Sequence, residues 1–229
     1  MKTFKRFAAA LLLVCLLAGH FSLTSLEAAP PKTTGLKFVG WYDEKCTKPV
    51  LKWSAVKGAQ QYEIRYMYTD NSNIKNVYTT STIGYLSGFQ SNRIYKVMVR
   101  ALTVSKGKIT SRGQWSDMIY TMPVPLNITP TAAGSTEKAG IKFKWSQVRG
   151  SNGYYIYMAT SPNGKWYQVK ATTKQGSTTA TVTKINGISF QKNKNYYYRI
   201  ITRKVVNGKV RVSPLPSRSY YEGSVSWNY

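Results

Sequence analysis

The side chains able to carry out chemistry in this chain are few. The sequence holds one histidine, His20, and two cysteines, Cys15 and Cys46. His20 and Cys15 fall within the first 28 residues, so the rest of the chain has no histidine for acid–base catalysis. Cys46 then has neither a histidine nor a second thiol as a partner, which argues against a thiol protease, a disulfide or a metal site. The sequence therefore predicts no metal ligands and no cofactor.

Paired carboxylates are the next route to catalysis, as in glycoside hydrolysis. Seven acids follow residue 28: Asp43, Glu44, Glu63, Asp70, Asp117, Glu137 and Glu222. Only the first two are adjacent, and we interpret all seven as surface charges. A glycine-rich loop that would cradle a phosphate is absent from the sequence. We therefore predict no catalytic residues and a protein that is not an enzyme.

The chain is strongly basic, with a formal net charge of +25 from 33 basic and 8 acidic side chains. Residues 30–122 carry +9 (14 basic and 5 acidic side chains), and residues 123–229 carry +14 (16 basic and 2 acidic). A field of this sign attracts polyanions. Nucleic acid is disfavoured as the partner, because the sequence contains no known nucleic-acid-binding motif and starts like an exported protein.

Residues 1–28 have the organisation of a secretory signal peptide. Lys2, Lys5 and Arg6 precede the apolar run 7–17, and small residues at Ala28 and Ala29 offer a cleavage region. An uncleaved anchor is the alternative, but the run is shorter than the roughly 20 residues that a membrane span needs. We expect a secreted or cell-envelope-associated protein with no transmembrane span in the mature chain.

One stretch of the sequence occurs twice. Residues 51–67 read LKWSAVKGAQQYEIRYM and residues 143–158 read FKWSQVRGSNGYYIYM; residues 89–95 (FQSNRIY) and 190–196 (FQKNKNY) form a second matching pair. A repeat of about a hundred residues has the size of a domain. We therefore predict two tandem domains, at 30–122 and 123–229 (the latter with a short C-terminal tail). Met122-Pro123-Val124-Pro125 is predicted to be a short, stiff linker.

Both domains are predicted to be built from strands. Apolar residues alternate with polar ones at period two, as at Tyr62, Ile64 and Tyr66, and no helical pattern is found. Asn163-Gly164 and Asn207-Gly208 stand between such segments, and Asn-Gly favours tight two-residue hairpins. The fold class expected is all-β.

These residues resemble tandem fibronectin type III domains. The family has a tryptophan on its second strand, a later glycine and a Tyr-x-Ile/Val alternation, and a large apolar residue six positions before a corner tyrosine. The matching residues here are Trp53, Gly58, Tyr62, Ile64, Phe89 and Tyr95, and Trp145, Gly150, Tyr154, Ile156, Phe190 and Tyr196. Departures are Ser91 and Lys192 in place of the usual proline, and Pro216-Ser217 where Trp115-Ser116 predicts an aromatic. The resemblance implies two tandem immunoglobulin-like (fibronectin type III) β-sandwiches after a signal peptide.

In this fold the third, sixth and seventh strands lie side by side, which implies one shared outer face. In the second domain we predict that this face binds a ligand through Tyr155, Tyr157, Tyr197, Arg199, Ile201 and Arg203, extended by Lys209 and Arg211. The first domain offers a less aromatic version, with Arg65, Met67, Lys96, Met98 and Arg100. Aromatic rings with interleaved cations suit sugar rings and polyanions. The alternative is that these residues are ordinary side chains of a solvated sheet.

Two functions of different kinds follow from these predictions. The first is a secreted, non-enzymatic binding or scaffold module of a bacterial cell envelope, whose partner is an anionic cell-wall polymer or polysaccharide. The second is an adhesion module that binds a specific protein. Salt separates them, because exposed charge pairs are screened beyond about 8 Å at physiological ionic strength.

Overall fold

The first half of the chain folds into eight strands. The structure, a computed structural model, describes residues 28–133, 140–214 and 222–227. Its first eight strands are β1 (Lys37–Trp41), β2 (Pro49–Lys52), β3 (Gln61–Tyr68), β4 (Lys75–Thr79), β5 (Ile83–Tyr85), β6 (Tyr95–Ser105), β7 (Lys108–Arg112) and β8 (Ile119–Thr121). The predicted signal peptide lies outside the described residues apart from Ala28.

The second half repeats this pattern. Its strands are β9 (Thr129–Ala133), β10 (Gly140–Lys144), β11 (Tyr154–Ala159), β12 (Tyr167–Ala171), β13 (Thr179–Val182), β14 (Lys184–Ile185), β15 (Ile188–Ser189), β16 (Lys194–Val206), β17 (Lys209–Val212) and β18 (Glu222–Trp227). The predicted departure at Pro216-Ser217 falls outside the described residues.

Each half is a sandwich of two antiparallel sheets. In the first half, the sheet β1-β2-β5 accompanies the sheet β4-β3-β6-β7, in which β8 also pairs with β6. In the second half, β9-β10-β13 accompanies β12-β11-β16-β17, in which β18 also pairs with β16. The predicted all-β class and the two tandem sandwiches are confirmed. The strands expected to be neighbours also lie side by side: β3, β6 and β7 in the first domain, and their counterparts β11, β16 and β17 in the second.

The repeated residues form the same core twice. Trp53 meets Tyr62 edge-on with ring centroids 5.5 Å apart, and Trp145 meets Tyr154 in the same way at 5.3 Å. The alternating inward residues of β11 and β16 are buried: Tyr154, Ile156, Tyr196, Tyr198 and Ile200. Each sandwich thus encloses its own apolar core, which is the main stabilising term for domains of this size.

The predicted corner tyrosines are present in both domains. The backbone N–H of Gln90 donates to the hydroxyl of Tyr95 at 2.9 Å, and that of Gln191 donates to Tyr196 at 2.7 Å. Phe89 contacts the ring of Tyr95, with the centroids 4.2 Å apart. The corner therefore closes although proline is absent from the loop, because the hydroxyl satisfies an otherwise unpaired backbone donor.

Only some of the Asn-Gly pairs form tight turns. Asn207-Gly208 has positive φ at both residues (49° and 74°) and joins β16 to β17, as predicted. Asn163 and Gly164 do not have positive φ, and the hairpin between β11 and β12 closes through a longer loop in which the Gly164 N–H donates to the Ser161 carbonyl. The hairpin is confirmed, but it does not use a two-residue turn.

The segment predicted to be a short, stiff linker is buried. Met122 and Val124 are 6% and 2% exposed, and the hydroxyl of Thr202 donates to the carbonyl of Pro123. Met122 belongs to the core of the second domain and Val124 packs with Ile201, since burying them removes apolar surface from water. Residues 122–125 therefore belong to a packed junction between the domains.

Backbone hydrogen bonds also join the two domains. The N–H of Ile94 donates to the carbonyl of Arg149 at 3.0 Å, and the N–H of Arg149 donates to the carbonyl of Asn92 at 2.7 Å. The loop before β6 is thereby tied to the loop before β11. Ile94 is itself fully buried among residues of the second core.

Candidate binding surface

Strand register brings the predicted outer residues of the second domain together. Tyr155 pairs with Ile201, Tyr157 with Arg199, and Ala159 with Tyr197. Directly opposed residues share one face of a sheet. Their inward neighbours are buried, whereas Tyr155, Tyr157, Tyr197 and Arg199 are half-buried. The predicted face therefore exists, while its role in binding stays a prediction.

A tryptophan that the sequence analysis missed completes the middle of this face. The guanidinium carbon of Arg199 lies 3.8 Å from the ring centroid of Trp166. Tyr157 donates a hydrogen bond to the side chain of Gln168, 3.1 Å away. The outer position of Trp166 could have been predicted from the alternation of residues 166–169. Tyr167 and Val169 pack on the core, so Trp166 and Gln168 lie on the outside. The face therefore gains an aromatic ring already paired with a cation.

Arg203 is held in place at the end of the face near the first domain. Its Nε donates to the hydroxyl of Tyr155 at 3.3 Å, and its NH1 group donates to the carbonyl of Asn152 at 2.9 Å. The guanidinium also lies over the Tyr155 ring, 5.9 Å from the centroid. Arg203 therefore supports the loop before β11 as well as the face.

The first domain covers part of this face. Ile201 is 4% exposed and packs in a small cluster with Cys46 and Val124, against which Trp41, Tyr155 and Tyr157 are also packed. The segment 42–48, a loop of the first domain, therefore packs on the outer face of the second domain. Ile201 is not accessible to a ligand in this arrangement, which corrects its place in the predicted surface.

Lys209 and Arg211 do not lie on the outer face. Register pairs Lys209 with Val206 and Arg211 with Lys204. Lys204 and Val206 point to the opposite face of β16 from Arg203, because side chains alternate along a strand. Lys209 and Arg211 therefore lie on the opposite side of the β16–β17 hairpin from Arg203. Both are exposed, but they do not extend the outer face as predicted.

The corresponding face of the first domain is built differently. The guanidinium groups of Arg65 and Arg100 lie over the ring of Trp115, at 4.7 Å and 4.3 Å from its centroid. Arg100 also pairs with the buried carboxylate of Glu63 at 2.7 Å. Met67 is buried, Met98 is half-buried, and Lys96 donates to the side chain of Asn71. This face is a compact network rather than an open basic surface.

Burial affects two titratable groups near the junction. Burial, with a smaller effect from the nearby Tyr155, raises the pKa of the Tyr157 hydroxyl. Burial and the charge of Lys96 lower the pKa of Lys204, whose ammonium donates to the carbonyl of Gly150 at 2.7 Å and lies over the ring of Tyr120. Desolvation disfavours the charged form in both cases.

Asp43, Asp70 and Asp117 of the first domain take part in structural contacts, and Glu63 is buried, which corrects its interpretation as a surface charge. Asp43 accepts hydrogen bonds from the N–H groups of Thr47 and Lys48, Asp70 accepts from Ser72, and Asp117 pairs with Lys32. Within the described ranges, no group of three histidine, cysteine, aspartate or glutamate side chains is placed to hold a metal ion. The same residues include no helix long and apolar enough to cross a membrane.

Comparison with known proteins gives matches in structure only. No family model and no curated protein matches the sequence. Among solved structures, a segment of two fibronectin type III domains from chicken tenascin is similar at a TM-score of 0.39 and 16% identity, covering 85% of this chain and 98% of that one. The FN1–FN3 domains of chicken CNTN1 are similar at a TM-score of 0.33 and 16% identity, covering 89% and 67%.

The strand order and the paired corner tyrosines define the class of protein. Each half is an antiparallel sandwich of the fibronectin type III kind, and the two follow one another in tandem. The fold by itself does not choose the ligand, which has to be argued from the surface.

Proposed function

We propose that this protein is a secreted, non-enzymatic module of a bacterial cell envelope that binds an anionic polymer or polysaccharide through basic and aromatic side chains. The observation that carries the proposal is the charge of the second domain. It has 16 basic and 2 acidic side chains, so most of its cations have no acid of their own domain to pair with. Among the cations that the structure describes, eleven are exposed: Lys142, Lys144, Arg149, Lys165, Lys170, Lys174, Lys184, Lys192, Lys194, Lys209 and Arg211.

The open part of the outer face supplies local recognition within this field. Trp166 and Arg199 are stacked at 3.8 Å, beside Tyr157 and Gln168. The planar, forked guanidinium matches the geometry of phosphate and carboxylate groups. Glu222 of β18 lies opposite Arg199 in register.

Co-sedimentation with purified cell-wall sacculi, with and without teichoic acid, tests the proposal. The full mature chain is expected to bind only when the polyanion is present and to be released as salt rises. Trp166→Ala combined with Arg199→Ala should weaken binding about tenfold, or about 1.4 kcal/mol, because it removes the ring and the guanidinium proposed to contact the polymer. Lys174→Ala, which removes one exposed loop cation, is the matched control for charge. Binding by neither form of sacculus at low salt would refute the proposal.

The alternative is a module that binds a protein partner, and the hairpin between β16 and β17 favours it. Val210 and Val212 are 46% and 41% exposed, and register places them beside Val205 and Arg203. Exposed apolar residues that cluster on a hairpin are a common feature of contact sites. Val210→Ser with Val212→Ser should abolish capture of a protein partner at high salt while leaving sacculus binding unchanged. Loss of sacculus binding instead would reject the alternative.

A further inference from the structure

The outer face of the first domain's three-stranded sheet exposes two tyrosines in contact with each other. Tyr42 and Tyr85 are 71% and 68% exposed, more than any other large apolar or tyrosine side chain described. Their ring centroids are 5.9 Å apart and the rings are nearly perpendicular. Val39, 57% exposed, lies on the strand just before Tyr42. The core of this sandwich is filled by other residues of the sheet, such as Leu51 and Trp53, so the exposed rings are not needed for packing.

Two lysines lie side by side on the same sheet. Lys37 of β1 is directly opposite Lys52 of β2, and both are exposed. Like charges directly opposed on a sheet are destabilising. The ion pairs of the described residues include neither lysine. An anionic group bound between them would relieve this repulsion.

Register brings the lysine pair and the rings onto one surface. Lys52 pairs with Ile83 of β5, and Val50, two residues earlier on β2, pairs with Tyr85. Residues two apart on a strand share a face and are separated by about 7 Å. The lysine row and the tyrosine row are therefore adjacent. Gly40 lies opposite Val50, and a side-chain carbon there would meet nothing within 4 Å, so the surface is open at this point.

We propose that this surface, formed by Lys37, Lys52, Tyr42 and Tyr85, is a second binding site for a polysaccharide whose sugar rings carry carboxylates. Tyrosine rings offer an apolar face and a polar edge, which fits a sugar ring. The lysine pair supplies charge for a carboxylate. A polyphosphate chain has no ring to occupy the tyrosines, so the pairing of rings with cations favours an acidic sugar. The site deepens the proposed function, because it names a ligand chemistry and a surface remote in sequence from Trp166.

The second domain provides an internal comparison. At the equivalent strand, Lys142 and Lys144 are also exposed, but each lies between two threonines rather than beside rings. This face carries the same number of lysines with no aromatic side chain in those rows. It therefore separates the effect of charge from the effect of the tyrosines.

The test measures binding of the full mature chain to polygalacturonate oligomers and to polyphosphate by titration calorimetry. Tyr42→Ala with Tyr85→Ala, and separately Lys37→Ser with Lys52→Ser, should each weaken polygalacturonate binding about tenfold. Lys142→Ser with Lys144→Ser removes the same charge from the second domain and should weaken it clearly less than Lys37→Ser with Lys52→Ser does. Circular dichroism checks that each variant is folded, which is expected because the side chains are exposed.

Three outcomes would overturn the inference. Equal losses in the two lysine variants, with no loss in the tyrosine variant, would mean that only net charge matters. Binding of polyphosphate that matches polygalacturonate and ignores the tyrosines would assign the site to phosphate. Self-association abolished by the tyrosine variant, without sugar binding, would make the patch a contact between copies. The Trp166→Ala, Arg199→Ala variant is measured alongside, so failure of the proposed function is seen separately from failure of this site.

Discussion

At the residue scale, the repeated tyrosines contribute their hydroxyl groups as well as their buried rings. Tyr62 accepts from the N–H of Val56 at 2.9 Å, and Tyr154 accepts from the N–H of Val148 at 2.8 Å. Each hydroxyl therefore closes the loop between the tryptophan strand and the next strand. Together with the corner tyrosines, this explains part of the tyrosine excess in the sequence, 18 against 7 phenylalanines.

Replacing Tyr154 by Phe should destabilise its domain more than Tyr62→Phe destabilises the first domain. Tyr154 also donates to the carbonyl of Gln175 at 3.2 Å, so its loss leaves two loop groups without a partner. Buried groups left unpaired cost about 1–3 kcal/mol each. Urea unfolding of both variants measures the difference, and equal losses would show that the second bond contributes nothing.

At the element scale, one loop sets how the domains meet. Burial raises the pKa of the Asp43 carboxyl, but hydrogen bonds from the Thr47 hydroxyl and from the N–H groups of Lys48 and Thr47 outweigh burial, so the pKa is lowered overall. Asp43 therefore holds the segment 42–48 that brings Cys46 to the second domain. Because the pKa is depressed in the folded state, this stabilisation is present above about pH 4 and is lost as the pH falls through the lowered pKa.

Asp43→Ala should increase the rate at which a thiol reagent labels Cys46 at about pH 8 by roughly tenfold or more. The thiol is fully buried at the junction, so labelling requires the loop to open. Hydrogen bonds to a charged group contribute about 1.5–3 kcal/mol, which corresponds to that rate change. Asp70→Ala removes a similar turn contact far from Cys46 and is the control. A labelling rate unchanged by Asp43→Ala would disconnect the loop from the junction.

The glycines of the repeated motif have different surroundings. Gly58 and Gly150 both have positive φ (79° and 84°). A side-chain carbon at Gly58 would meet nothing within 4 Å, but one at Gly150 would lie 2.7 Å from the hydroxyl oxygen of Thr69 in the first domain. The backbone strain of an L-residue is common to both positions, and only Gly150 adds a clash between domains.

Gly150→Ala should therefore loosen the junction, whereas Gly58→Ala should not. Both variants lose stability, by about 1 kcal/mol or more, because alanine is strained at positive φ. Small-angle scattering should show a larger radius of gyration only for Gly150→Ala. If the two variants scatter alike, the contact with Thr69 does not fix the domain arrangement.

At the scale of the whole molecule, buried tyrosines make the fold sensitive to alkali. Burial raises the pKa of Tyr66, Tyr95, Tyr157 and Tyr198 above the ordinary value near 10. The unfolded chain then loses these protons at lower pH than the folded chain. Their contribution to stability is complete below about pH 10 and is lost as the pH rises through the raised values.

Titration followed by tyrosinate absorbance should show this directly. In the native protein a fraction of the tyrosines should ionise later than in denaturant, and Tyr198→Phe should reduce that late fraction. Superimposable curves for the native and denatured protein would contradict the expected shift. Urea unfolding of Tyr198→Phe at neutral pH checks that the variant still folds.

The sequence by itself determined the architecture of each domain. Trp53, Tyr62 and Phe89 recur in the second copy because each fills a fixed core position, and period-two alternation decides which strand residues face inward. The outer position of Tyr155, Tyr157 and Arg199 followed from the same alternation. The outer position of Trp166 could also have been predicted from that alternation.

Only the tertiary structure decided which outer residues are accessible and how the domains meet. Ile201 lies outward by alternation but is buried by the loop of Cys46, because contacts between residues far apart in sequence leave no local pattern. The positions of Lys209 and Arg211 depend on the register of the β16–β17 hairpin, because the pairing decides which face each side chain occupies. Tyr42 and Tyr85 come from different strands, so their contact exists only once the sheet has formed.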